Sequence, residues 1–379
     1  MKIAIVHDYL CQVGGAERVF QYICEEFAEA DVYVLAYNPS GTYPYFSGRE
    51  IRTTWLNHLV RSPTAFRWSF PIATYVVESL DLSKYDLVLS VSATVAKYAV
   101  VPNGIHLCYC FIPTRALWYF DQYFGTSMRR VLKVVLPYLR RRDYAAAQRV
   151  DRFIAISETS KESIKQFYNR NAEVIFCPID LDRFHCSGKK KEHYLLVSRL
   201  EHWKRVDYAV EAFNQLGLPL RIIGTGNEEA RLRALARKNI EFLGSVDDEI
   251  LAREYAEARA VVFTPFLEYG LIPLEANASG TPVICYGKGG VKETLIPVDA
   301  SGISKGPPTA VFFYEQTAQS LIGAVRQFES LSFCSADLTR HAAQWDVPSF
   351  KSRLRRAVQF AHSEKDEDLL LEARQSVAG

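Results

Sequence analysis

This sequence predicts an α/β protein made of two doubly wound domains in tandem, and three observations carry that reading. Short β-rich runs alternate with amphipathic segments, the pattern of a parallel sheet with helices on both faces. The alternation starts afresh after a polar, breaker-rich stretch from Pro178 to His193 that includes Ser187-Gly188 and Lys189-Lys190-Lys191. At 379 residues, 49% of them hydrophobic, the chain is too long for one ordinary core and apolar enough for two.

The elements follow in order. KIAIVHD reads as the first strand, Gly14-Gly15 as a turn and AERVFQYICEEFA as an amphipathic helix. DVYVLAY, DLVLSVS, HLCYCF, RFIAIS and AEVIFCP supply further strands of the first half. YLLVSRL, PLRIIGTG, IEFLGSV, ARAVVFTP, TPVICYG and TAVFFY do the same for the second. Val347 to Ala373 has helical periodicity, and the closing QSVAG reads as frayed.

Several function classes recede on composition. A formal charge of +2 gives no global attraction to nucleic acid. The eight cysteines are scattered, and Cys108 and Cys110 share one face of a strand, so buried reduced thiols are expected and no zinc or redox site. The eight histidines form no HxxxH or HExxH pattern, so no metal is expected. MKIAIVHDYL reads as a strand and not as a secretory leader, and no run approaches the roughly 18 apolar residues of a membrane span. The expected location is the cytoplasm.

Phe266 to Glu293 holds the densest chemistry. A glycine turn and a helix start lie between Glu268 and Glu275, and Gly287-Lys288-Gly289-Gly290 follows. Amides at a helix start attract phosphate and sugar oxygens, and a carboxylate one turn in can accept sugar hydroxyl protons. Arg199 and Lys204 flank the turn after YLLVSRL, at the carboxyl end of a strand where α/β domains bind ligands. Two cations there suit a diphosphate leaving group. Gly14-Gly15, Gly224-Thr225-Gly226 and Gly244 are strand-end glycine turns, each readable as a plain turn or as a backbone site. Asp180-Leu181-Asp182 has the spacing of a metal-binding DxD but sits after a proline in the predicted joint, and is read as structural.

With GGAERV, SRLEHWKRVDYAVEAF, LRIIGTGNEEARL, IEFLGSV and FLEYGLIPLEANASGTPVICYGKGGVKETL in this order, the chain resembles the family-4 glycosyltransferases of GT-B fold. It is similar to the bacterial, mannosyltransferase-like hexosyltransferases of O-antigen and exopolysaccharide synthesis. The resemblance implies two Rossmann-like domains facing a central cleft: residues 1–182 on the acceptor side, 190–350 holding the donor, and a C-terminal helix, 351–379, crossing back to the first. It implies that Arg199 and Lys204 contact the donor diphosphate, that Gly270, Leu271 and Ile272 turn amides toward it, and that Glu275 binds the ribose. Gly14 and Gly15 become the N-domain glycine loop, and the backbone from Phe242 through Leu243 to Val246, with Gly224 beside it, the base-binding segment. Leu267 stands where the first of the family's two carboxylates belongs, leaving Glu268 as the candidate to reach the donor sugar. Phe111 replaces a family histidine, and Arg115, Trp118 and Asp121 are the remaining candidates to line the acceptor side.

The expected activity is retaining, metal-independent transfer of a hexose from a nucleoside-diphosphate sugar, UDP-glucose ahead of GDP-mannose, to a polysaccharide or lipid-linked glycan. No cofactor is expected. The alternatives are a nucleotide-binding homologue weakened in catalysis that serves in assembly, and a sugar phosphorylase or epimerase. Residues 128–152, MRRVLKVVLPYLRRRDYAAAQRVDR, combine apolar residues with eight Lys/Arg and predict two helices broken at Pro137. They could rest peripherally on the anionic inner face of the plasma membrane.

Overall fold

The computed structural model describes residues 1–123, 132–298 and 306–377. The chain divides into two compact units, Met1–Cys177 with Pro348–Gly379, and Pro178–Val347.

Unit 1 is a seven-stranded, all-parallel sheet. Its strands are β1 (Ile3–His7), β2 (Asp31–Val34), β3 (Ile51–Thr53), β4 (Leu87–Ser92), β5 (Ile105–Cys110), β6 (Arg152–Ala155) and β7 (Ala172–Val174), in the order β3-β2-β1-β4-β5-β6-β7. Ile5 pairs with Val32 on one side and Leu89 on the other. β4 and β5 are buried at every position, as strands covered on both faces must be. β3 carries no apolar alternation and was not predicted; a three-residue edge strand leaves too little pattern to read. The helix Val347–Val377 packs here, burying Phe350, Leu354 and Val358 and pairing Lys351 with Glu25 at 2.8 Å.

Unit 2 repeats the plan with β8 (Tyr194–Val197), β9 (Leu220–Ile223), β10 (Ile240–Gly244), β11 (Val261–Phe263), β12 (Val283–Tyr286) and β13 (Ala310–Phe313), ordered β10-β9-β8-β11-β12-β13 and all parallel. In both units the order reverses beside the first strand, so each sheet has a switch point where loops diverge and leave a crevice. The start and end of unit 2 lie side by side, with the Ile179 N–H donating to the Trp345 carbonyl at 2.8 Å.

Four expectations need correction, while the structural reading of Asp180-Leu181-Asp182 agrees with the turn found there. Pro178 to His193 is no free joint but packs along the helix Asp248–Glu257: Arg183 pairs with Asp248 at 2.8 Å, the Lys190 ammonium donates to the Ala256 carbonyl at 2.8 Å, and Lys191 pairs with Glu257. The Asp180 carboxylate accepts the Asp182 N–H at 3.2 Å and caps a short turn. Pro137 does not break a helix; it stands in the first turn of Leu136–Gln148, where its missing N–H costs nothing. Residues 128–131 of the predicted basic segment lie outside the described residues. Cys186 and Cys334 are exposed, whereas the other six cysteines are buried, all eight being free thiols. The helical stretch runs on to Val377 through most of QSVAG, whose last two residues, 378 and 379, also lie outside the described set.

Candidate functional site

The site of unit 2 grows from its switch point, between β8 and β11. After β8 the chain turns through Ser198, Arg199 and Leu200, and the glycine turn after β9 presses on it. Gly224 has φ +128°, and a Cβ there would stand 1.9 Å from the Ser198 carbonyl oxygen; a Cβ at Gly226 would stand 2.5 Å from that of Leu200. The Gly224 N–H in turn donates to the Gly244 carbonyl at 2.7 Å, which ties the end of β10 to the same loop. Gly244 has φ +69°. Phe242 packs on the core with the Arg233 guanidinium 4.8 Å from its ring centroid. Leu243 and Val246 are half-buried.

Lys204 ends a short turn, His202–Lys204, and is buried although a lysine; Arg199 is exposed. Trp203 brings the two together, with the Lys204 ammonium 4.1 Å and the Arg199 guanidinium 5.8 Å from its ring centroid. Such contacts contribute about 0.5–2 kcal/mol each. Arg205 takes φ +55°, a left-handed turn that costs a non-glycine residue about 1 kcal/mol and leads directly into the helix Val206–Leu216. The Thr264 hydroxyl, just past β11, donates to the Lys204 carbonyl at 2.8 Å and joins the two banks of the switch point.

On the β11 bank, Gly270 precedes the helix Leu271–Ala278 and no side chain caps that helix start. The amides of Leu271 and Ile272 open it. Glu275 lies one turn in, and the Tyr255 hydroxyl donates to its Oε2 at 2.9 Å. Burial, and then the Glu275 charge, hold that hydroxyl well above its usual pKa, so it remains a donor. The second glycine turn braces the loop before this helix. Gly289 has φ +79°, and a Cβ there would lie 2.3 Å from the Leu267 oxygen; one at Gly290 would lie 2.2 Å from that of Glu268. The Gly290 N–H donates to the Leu267 carbonyl at 2.9 Å. Leu267 is thereby fixed by its backbone, and the Glu268 side chain is 3% exposed.

In unit 1, Gly14 precedes the helix Gly15–Glu26 with an extended backbone, and a Cβ on it would meet the Glu17 carboxylate at 2.7 Å. Asp8, at the end of β1, accepts the N–H groups of Ala93 and Thr94 on one oxygen, and of Val95 and Ala96 on the other, at 2.7–2.8 Å. The amides beyond β4 are thus occupied by the protein's own carboxylate. Phe111 is buried edge-on to Tyr109, 5.7 Å between ring centroids. Arg115 begins a short helix, Arg115–Trp118, and Asp121 is exposed. Trp118 gives its indole N–H to Asp143 at 2.7 Å, which commits it to packing. Asp143 is wholly buried and also takes Lys97 at 2.8 Å, Tyr98 at 3.0 Å, Thr114 at 2.9 Å and Tyr168 at 2.7 Å.

The structure therefore gathers Arg199, Lys204, Gly224, Gly270, Leu271, Ile272 and Glu275 on the loops of one unit's switch point, with Gly244, at the end of β10, tied by its carbonyl to Gly224. Sequence reasoning missed Trp203, Thr264, Tyr255 and Asp8. Trp203 lies inside SRLEHWKRVDYAVEAF, where its signal is an aromatic between two cations. Tyr255 bonds a residue 20 positions away on another helix and left no local signal.

Residues 13–183 match the family model described as Glycosyltransferase Family 4, and residues 178–345 the model described as Glycosyl transferases group 1. The chain is 35% identical over 124 residues to the glycogen synthase of Mycobacterium tuberculosis, 30% of each chain. It is 25% identical over 299 residues to the D-rhamnosyltransferase WbpZ of Pseudomonas aeruginosa, 72% of this chain and 73% of that one. The first of these curated relatives are thus matched along only about 30% of their length. Anabaena HepE in complex with UDP superposes with a TM-score of 0.67 over 95% of this chain and 100% of that chain, at 16% identity, a likeness of fold.

Proposed function

Because this chain belongs to the family-4 glycosyltransferases of GT-B fold, we propose that it transfers a hexose from a nucleoside-diphosphate sugar to a polysaccharide or lipid-linked glycan. The observation that carries this reading is the pairing of two cations, Arg199 and Lys204, on one bank of the unit 2 switch point with an uncapped helix start and Glu275 on the other. Unit 2 holds the donor and unit 1 the acceptor. UDP-glucose is favoured over GDP-mannose, and HepE, a protein of like fold, was crystallised with UDP and with UDP-glucose.

In the proposed step the bond between the anomeric carbon and the β-phosphate oxygen breaks, and the acceptor oxygen bonds to that carbon on the same face. The acceptor proton passes to the departing diphosphate. Arg199, Lys204 and the amides of Leu271 and Ile272 stabilise the charge that develops there, a role in which a single preorganised donor is worth about 100-fold or more in rate. These groups supply the positive charge, so no metal is assigned to the step. Glu275 accepts from the ribose hydroxyls.

Release of UDP or GDP from a panel of sugar nucleotides tests the proposal. Lys204→Ala should lower turnover about 100-fold with folding intact, and Glu275→Ala should weaken nucleotide binding. Turnover unchanged in the first, or affinity unchanged in the second, removes that residue's role. A second reading, a nucleotide-binding protein of little catalytic power, is favoured by Leu267 at the first carboxylate position and by buried Phe111. Tight nucleotide binding with no transfer from any donor would select it.

A further inference from the structure

Unit 1 carries an aromatic face that neither its core nor the donor site uses. On the helix Pro63–Glu78, Trp68, Ile72 and Tyr75 stand at the i, i+4, i+7 spacing of one stripe and are 62%, 53% and 53% exposed. Its opposite side buries Phe66, Phe70, Ala73 and Val77. The stripe continues onto the next long helix, because the Tyr75 and Tyr138 hydroxyls bond at 2.8 Å. Tyr138 is 56% exposed, and Val134 and Val135, one turn before it, are 83% and 45% exposed. The Arg142 guanidinium stands over the Tyr75 ring, 3.6 Å from its centroid, and is paired with Glu78, which fixes the two helices side by side.

The charge carried by the two segments that form this face has one sign up to Glu78. Residues 51–77 and 122–142 contain no Asp or Glu, whereas Lys133 and Arg141 flank Tyr138 and are exposed. The first acid after the stripe, Glu78, is held by Arg142 and Arg149. Trp, Tyr and Ile beside Lys and Arg, with Glu78 neutralised by Arg142 and Arg149, make a composition suited to the boundary between lipid headgroups and acyl chains: the rings enter, and the cations remain with the phosphates. No helix among the described residues is long and apolar enough to cross a membrane, so such a face would lie in the plane of the surface.

We propose that Trp68, Ile72, Tyr75, Tyr138 and Val134, with Lys133 and Arg141, form a docking surface for an anionic lipid membrane. The basic run recognised in the sequence supplies the cations, and the helix Pro63–Glu78 supplies the aromatic stripe that enters the lipid. This placement is independent of the donor-site reading, because it is tested by lipid binding and not by transfer.

The test is flotation of the full chain with vesicles of phosphatidylglycerol and phosphatidylethanolamine, against phosphatidylcholine vesicles. Binding is expected to the anionic vesicles only and to weaken as salt rises from about 0.05 to 0.5 M. The double variants Trp68→Ser/Ile72→Ser and Lys133→Gln/Arg141→Gln should each lose tenfold or more in binding, with melting temperature and nucleotide affinity unchanged. In the wild type, brominated acyl chains should quench a share of tryptophan emission that is absent in Trp68→Phe. Three results would overturn the proposal: no binding of the wild type, equal quenching in the wild type and Trp68→Phe, or a solution dimer that Trp68→Ser/Ile72→Ser dissociates. The last would make the face a contact between copies of this chain.

Discussion

In the role proposed for it, Glu275 accepts two neighbouring ribose hydroxyls and must hold one orientation, and the Tyr255 hydroxyl holds it from within the unit at 2.9 Å. Tyr255→Phe removes that hydrogen bond to a charged group, worth about 1.5–3 kcal/mol, with little change in shape. The expected result is roughly tenfold weaker binding of UDP or GDP, but no change for the 2′,3′-dideoxy nucleotide. Equal losses for both nucleotides, measured by calorimetry, would mean that Tyr255 only supports the fold. Asp143 shows the opposite use of a carboxylate. It joins Lys97, Tyr98, Thr114, Trp118 and Tyr168 from separate segments of unit 1 and faces no solvent. Asp143→Ala would leave the Lys97 charge buried without it, and breaking such a pair costs about 3–5 kcal/mol. Urea unfolding should show that loss, and Lys97→Met/Asp143→Leu should recover part of it by replacing the pair with apolar groups. In the sequence Lys97 and Asp143 were ordinary charges 46 positions apart, since nothing local marks a pair that only the folded sheet brings together.

At the scale of elements, strands buried on both faces restrict which polar side chains they can carry. β4 and β5 run side by side with every position buried, and they place Ser90 against His106, Oγ to Nε2 at 2.8 Å. Burial, and then the nearby Arg149 charge, push the His106 pKa down to about 3. The folded protein therefore keeps this imidazole neutral while the unfolded chain protonates it near the ordinary value of about 6.5. The depressed value contributes stability that is complete above about pH 6.5 and falls as pH drops toward 3, at up to about 1.4 kcal/mol per unit. His106→Asn should flatten the dependence of unfolding free energy on pH between 4 and 6, whatever it does to the absolute value; an unchanged slope would assign the acid sensitivity elsewhere. These strands were legible because DLVLSVS and HLCYCF are short, mostly apolar, β-rich runs between turn signals, which is close to how a parallel central strand reads. The glycine turns were legible as turns but not in their purpose. Gly224 and Gly289 serve first to let Ser198 and Leu267 carbonyls approach, and a contact between two loops has no signature in either.

The whole chain is a pair of units with unequal dependence on its last helix. Every donor residue proposed in unit 2, and the core beneath it from Tyr194 to Phe328, lies between Pro178 and Val347, and the ends of that span meet through the Ile179–Trp345 hydrogen bond. Unit 1 is closed only by residues from beyond unit 2: Phe350 packs edge-on against Tyr109, 5.8 Å between centroids, and Leu354 and Val358 are buried. Burying these three side chains is worth roughly 5 kcal/mol or more, a large part of what a domain of this size holds in reserve. A chain ending at Val347 should therefore unfold in two steps, the lower one belonging to unit 1, while the isolated span 178–347 should fold cooperatively and bind UDP or GDP within a few-fold of the full chain. Calorimetry of both fragments checks this directly. Nucleotide binding that vanishes in a folded 178–347 fragment would mean that the donor is held by groups outside unit 2, and the division of labour between the units would have to be redrawn around Gly14 and Gly15.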